Sequence, residues 1–175
     1  LTAALPMIQT RSVHVVEHPI RADFLTAPHS DGTGNQILFV GAIDERKGIS
    51  DALAAFRAAA PPDWQLHVIG NGPAARVAEL QRQIAAPDLA GRVRHSSQLD
   101  SARIVAEMQR SSIFLLPTKI DTGPTALKEA LAMGLWPVCY DNSGPANYHK
   151  KFQFGTLAKD LNRSDLTHAL GETIT

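Results

Sequence analysis

The chain is short of cysteine. Cys139 is the only one, so an internal disulfide is excluded, and the lone thiol fits a reducing, cytoplasmic setting. It also lacks an excess of either charge: Lys+Arg and Asp+Glu both number 17, which leaves no electrostatic case for a nucleic-acid partner or an anionic membrane. No apolar run approaches the roughly 20 residues that span a bilayer, so membrane contact is not indicated. The N-terminus shows no basic segment followed by an apolar one, and no signal peptide is expected. Low-complexity blocks and repeats of solenoid period are missing too. There is no Walker lysine motif. The stretch GNGPAA (70–75) lacks the full glycine spacing of a dinucleotide fingerprint and follows the second expected strand rather than the first.

What is present is the composition of a globular protein. The 175 residues are 44% hydrophobic and 19% charged, enough for one well-filled domain and too few for two. The chain begins at Leu1 rather than Met, and a piece of something longer is expected. Residues 1–35 are the least regular part and read as a linker or remnant of an interdomain region. Within them SVHVVEHPI (12–20) is expected to be extended and DGTGN (31–35) to turn.

From residue 36 a rhythm sets in. Strands are expected at QILFVG (36–41), QLHVIG (65–70), RVRHSS (92–97), SIFLLP (112–117) and LWPVCYD (135–141), with a weaker one near KFQFGTL (151–157). Between them the apolar spacing predicts helices over 47–60, 73–86, 101–111 and 124–134, and a last helix runs from Asn162 to Gly171. Strands alternating with helices of this length imply right-handed crossovers, hence a parallel sheet covered on both faces. The unbroken apolar character of LFV, VIG and FLLP agrees, because such strands are buried on both sides. The fold class is therefore α/β, a Rossmann-like doubly wound sheet of about six strands spanning residues 36–175. In that architecture Gly41–Lys47, Gly70–Pro73, Ser96–Leu99 and Pro117–Thr125 converge on one crevice beyond the strand ends.

The stretch DTGPTALKEALAMG (121–134) is the most informative. It places Asp121 and Glu129 around a Gly-Pro loop that feeds a helix, directly after the apolar run IFLLP. Free backbone N–H groups at such a helix start can hold an anion, while flanking acids grip sugar or ribose hydroxyls. Capping by Asp121 and Thr122 is the bland alternative. The pair Lys128-Glu129 inside an otherwise apolar helix favours an inward role. Seven histidines raise a metal reading, and His14-Val-Val-Glu17-His18 has a zinc-peptidase spacing. That chemistry needs a helix, which β-branched VHVVEHP is unsuited to form, so no metal site is expected. His95, His149 and His168 read as surface or packing residues, and Cys139 as an inert buried thiol.

The succession ILFVGAIDERKG, VIGNGP, RVRHS and FLLPTKIDTGPTALKEALAMGLWPV resembles the carboxy-terminal, donor-binding domain of the GT-B fold, and more narrowly the retaining glycosyltransferases of family 4. The resemblance runs from about Gln36 to Asp160. It implies a transferase moving a sugar from a nucleoside diphosphate to a glycan or lipid-linked acceptor, with a missing N-terminal domain carrying the acceptor site. On this basis the chain alone should bind donor without turnover. No cofactor and no metal are implied, since fixed charges do the work of a cation.

Residue by residue, the resemblance implies that Lys47 reaches the diphosphate, Asp121 lies near the transferred sugar and Glu129 binds the ribose hydroxyls. Gly41, Gly70 and Gly72 line the donor cleft. Ser97 and Leu99 belong to the base loop, and the amides of Gly123, Thr125, Ala126 and Leu127 face sugar and diphosphate. The chain departs from the pattern at Ala42, where an arginine is usual: either Arg46 substitutes from the loop or the leaving-group clamp is weaker. It departs again at Asp121, usually glutamate, and at Ser97, where glycine is commoner. The turn DNSGP (141–145) falls where the family often carries a glycine pair near the donor. Two other outcomes are compatible with these residues: a non-catalytic nucleotide- or sugar-binding module, or a GT-B relative such as a nucleotide-sugar epimerase.

Overall fold

A computed structural model describes residues 18–175. Residues 12–17 of the segment expected to be extended, with His14 and Glu17 of the HxxEH spacing, lie outside the described residues.

Six strands form one sheet: β1 (Gln36–Val40), β2 (Gln65–Ile69), β3 (Val93–Ser96), β4 (Ile113–Leu116), β5 (Trp136–Tyr140) and β6 (Thr156–Ala158). Every pairing is parallel and the order is β3-β2-β1-β4-β5-β6. This is the doubly wound arrangement in which the order of strand addition, not strand direction, reverses between β1 and β4. At that seam Ile37 lies opposite Ile113 and Leu38 opposite Phe114. The first four residues of β1 and all of β4 are buried, as strands covered on both faces must be.

The connecting helices are α2 (Ile49–Ala59), α3 (Ala74–Ile84), α4 (Ser101–Gln109), α5 (Thr125–Ala132), α6 (Ser143–Phe152) and α7 (Arg163–Ile174). The last of these packs on α2 and on β5 and β6. Its start is set by Asn162, whose side-chain oxygen accepts the Asp165 N–H at 2.9 Å. Asp100 caps α4 in the same way through the Arg103 N–H.

Two elements differ from the sequence expectation. A short helix, α1 (Ala22–Thr26), precedes the sheet, and its Phe24 is wholly buried against α4 and α5. The stretch after β5 is not a turn leading to a long weak strand but the ten-residue helix α6, which leaves only three residues for β6. Gly144 and Pro145 fall in its first turn, where a missing N–H is harmless. Gln153 in the left-handed region (φ 53°) then ends it.

Candidate donor site at the carboxyl edge of the sheet

The loops after β1, β2 and β3 are stitched edge to edge. The Gly41 N–H donates to the Ile69 carbonyl (3.0 Å), Ile43 to Asn71 (2.9 Å) and Gly70 to Ser96 (2.9 Å). A side chain at Gly70 is impossible, since its Cβ would stand 1.8 Å from the Gly41 carbonyl oxygen. The Gly72 N–H is held by the side chain of Asn71 at 2.9 Å. His95 reaches the Gly70 carbonyl through Nε2 at 2.8 Å, tying β3 to the same turn.

The β1 and β4 loops meet at the reversal point. Gly48 adopts φ +75°, and a Cβ there would lie 2.0 Å from the Pro117 carbonyl oxygen, so glycine is required for this approach. The Lys119 N–H (2.8 Å) and Thr118 Oγ1 (3.2 Å) both donate to the Arg46 carbonyl. This seam carries the Lys47 ammonium onto the Asp121 carboxylate, with the two side chains 17% and 12% exposed. The other Asp121 oxygen accepts the Gly123 N–H at 3.2 Å. Arg46, by contrast, is half-exposed and lies 3.7 Å from Asp44 at the surface.

Beside this pair α5 begins. Pro124 stands at its cap position with no capping side chain. The Leu127 and Lys128 N–H groups both donate to the Pro124 carbonyl (3.1 and 3.3 Å). Two of the four expected amides, those of Gly123 and Leu127, thus have partners inside the chain. Those of Thr125 and Ala126 have none among the described residues, and such first-turn donors carry the positive end of the helix dipole.

Glu129 lies one turn further along and is 2% exposed. Both of its oxygens are gripped by Arg21, Nε to Oε1 at 2.8 Å and Nη2 to Oε2 at 3.0 Å. Lys128 is buried as well and donates to the His18 carbonyl. Ser97 is exposed and Leu99 half-buried, on the loop leading into α4. The structure therefore groups Lys47, Asp121, Thr125 and Ala126 at the reversal point. Glu129 it connects to the start of α4 through Arg21.

Behind the site is a group the sequence reading did not single out. Asp51, buried in the first turn of α2, accepts from Arg163 (2.7 and 3.1 Å) and Tyr140 (3.1 Å) and pairs with Lys119 at 3.2 Å. Burial pushes its carboxyl up, but hydrogen bonds from Arg163, Lys119 and Tyr140 outweigh that and hold it below its ordinary value. Burial, followed by the Asp51 charge, drives the Tyr140 hydroxyl upward. A second network sits under β1–β3, where His67 joins Glu107 (3.0 Å) and Ser96 (2.9 Å). Cys139 is buried, which pushes its thiol up to about 12 and leaves it inert. Among the described residues no group of three or more His, Cys, Asp or Glu side chains is placed to hold a metal ion, and no helix is long and apolar enough to cross a membrane.

Comparison with known proteins agrees with this architecture. A phosphatidyl-myo-inositol mannosyltransferase of Mycolicibacterium smegmatis is 35% identical over 127 residues, 69% of this chain and 32% of the relative. The chain thus spans about a third of that relative's length. In fold it is similar to WaaG, a glycosyltransferase involved in lipopolysaccharide biosynthesis (TM-score 0.76, 18% identity, 92% of this chain and 47% of that one). It is similar also to Anabaena HepE in complex with UDP and glucose (TM-score 0.69, 18% identity, 81% and 39%). The family model described as glycosyl transferases group 1 matches residues 22–175, and with the six-stranded parallel sheet in place the chain belongs to that family, as a Rossmann-like GT-B glycosyltransferase domain.

Proposed function

We propose that this chain is the donor-binding domain of a retaining, family 4 glycosyltransferase. It would take a sugar from a nucleoside diphosphate for transfer to a glycan or lipid-linked acceptor, with the anomeric configuration kept. The observation that carries the reading is the meeting of Lys47 and Asp121, 74 positions apart, at the reversal point of the sheet beside the open N–H groups of α5. Phosphate oxygens suit that place: an ammonium has three donors, and the Thr125 and Ala126 amides add two more. As the glycosyl–phosphate bond breaks, charge develops on the departing diphosphate. Fixed donors of this kind are worth about 3–4 kcal/mol each where charge builds up. Asp121 is suited to the sugar, Glu129 to the ribose hydroxyls, and Ser97 and Leu99 to the base. Gly41, Gly70 and Gly72 let the backbone approach the ligand. UDP bound to the similar fold of HepE supports a nucleoside diphosphate as the ligand class.

The acceptor site would lie on an amino-terminal domain outside this sequence, and no metal is invoked. Titration calorimetry with UDP and GDP tests the reading. Binding of one of them, weakened at least about tenfold by Lys47→Ala, is expected, and no sugar transfer by the chain alone. Absence of binding to both, or robust turnover by this chain, would sink it. Ala42 in the usual arginine place, together with a Lys47 charge already matched by Asp121, favours a second reading, a nucleotide-binding module without catalysis. Product analysis on a longer protein carrying the acceptor domain separates the two.

A further inference from the structure

We infer that Arg21, outside every motif in the chain, is the positioning residue of the ribose subsite, through which the domain distinguishes ribose from deoxyribose. The inference rests on the donor-site reading above. A carboxylate as deeply buried as Glu129 needs a partner, and Arg21 supplies both N–H groups of a fork, one to each oxygen. That fork fixes the plane of the carboxylate. It also leaves each oxygen a second lone pair, enough to accept a pair of vicinal hydroxyls.

Arg21 is itself anchored from two further sides. Its Nη1 donates to Ser101 Oγ at 2.7 Å, and its guanidinium lies 4.6 Å from the ring centre of the buried Phe24. Ser101 opens α4 immediately after the 97–99 loop, so a single guanidinium connects the acid assigned to ribose with the loop assigned to the base. The Arg21 side chain is 46% exposed and that of Glu129 3%, so solvent reaches this junction from the arginine side. A residue that merely pinned α1 to the domain would influence stability but not the recognition of hydroxyl groups. A residue that aims Glu129 influences binding only when the hydroxyls are there to be bound.

The test is calorimetric titration of the chain with UDP and GDP and with their 2′,3′-dideoxy analogues, for wild type, Arg21→Ala and Arg21→Lys, each with its thermal midpoint. Arg21→Ala should weaken the preferred diphosphate by about 10- to 100-fold, the range for hydrogen bonds to a charged group. It should weaken the dideoxy analogue by less than about threefold. Arg21→Lys keeps the charge without the fork. It guards against a failure of the alanine variant to fold, and should show the same selective loss at smaller size. Equal losses for the two ligands, or a lysine variant indistinguishable from wild type on both, would overturn the proposal while leaving the donor site standing. A wild-type chain that binds neither UDP nor GDP removes the donor site and this proposal together.

Discussion

The Lys47 ammonium rests on the Asp121 carboxylate at the point where the strand order reverses, with 17% and 12% of the two side chains exposed. A diphosphate entering here competes with Asp121 for the same cation, so the two residues should respond in opposite directions to neutralisation. Asp121→Asn frees the ammonium and should hold or raise nucleoside diphosphate affinity, whereas Lys47→Met should lower it by at least about tenfold. Titration of both variants against UDP and GDP checks this. Parallel losses would mean that the pair acts only as a structural tie.

Gly48 is what brings these loops together. Alanine there would be held at φ +75° with its Cβ driven against the Pro117 carbonyl, so Gly48→Ala should destabilise the fold by about 2–4 kcal/mol and misplace Lys47. Gly91 has a similar angle, +78°, and open space around it, so Gly91→Ala should lose only the conformational part, about 1 kcal/mol. Urea unfolding of the two variants measures the difference. Equal losses would deny the contact its role.

The Asp51 cluster predicts an acid limb to stability. Its carboxyl is held below the ordinary 3.8, so the folded state favours the ionised form. The contribution is therefore complete above the unfolded value and is lost as pH falls through the lower folded one. Asp51→Asn should flatten the stability curve below about pH 4 and lower stability by about 1–3 kcal/mol near neutrality. Chemical denaturation between pH 2 and 7 reads both effects, and an unchanged acid limb would contradict the assignment.

His67 makes a second, separate pH prediction. Burial, the largest influence, lowers its pKa against the pull of Glu107, so the fold favours the neutral ring. A neutral ring that satisfies both neighbours donates from Nδ1 to Glu107 and accepts the Ser96 hydroxyl at Nε2. Stability from this depressed group is whole above about pH 6.5, and declines as pH drops below that value and through the folded one. Imidazole resonances followed by NMR should show His67 titrating below the ordinary value of 6.5. Titration at or above 6.5 would refute it.

The sheet was legible because LFV, VIG and FLLP are contiguous apolar runs, the pattern of strands covered on both faces, and because helical spacing resumes after each. Helix α6 escaped because Ser-Gly-Pro reads as a turn, although a helix tolerates those residues in its first turn. Helix α1, at five residues, is too short for periodicity to register. The same split holds at the site. The Asp121–Glu129 spacing and the inward setting of Lys128-Glu129 are local features, and both of the latter residues are buried. The partners are not local. Asp121 meets Lys47 only because Gly48 abuts Pro117, and Arg21 reaches Glu129 across 108 positions with no periodic signal around it. No local motif marks Asp51, and its convergence with Lys119, Tyr140 and Arg163 depends on how α7 packs against α2.

The claim that the carboxyl edge of the sheet is a nucleotide-sugar donor site is tested most directly by a crystal structure of this chain soaked with UDP or GDP. Phosphate density is expected at the start of α5, within hydrogen-bond distance of the Thr125 and Ala126 amides and of Lys47 Nζ, with ribose hydroxyls on Glu129. Nucleotide bound elsewhere, or none at concentrations that saturate related transferases, would contradict it.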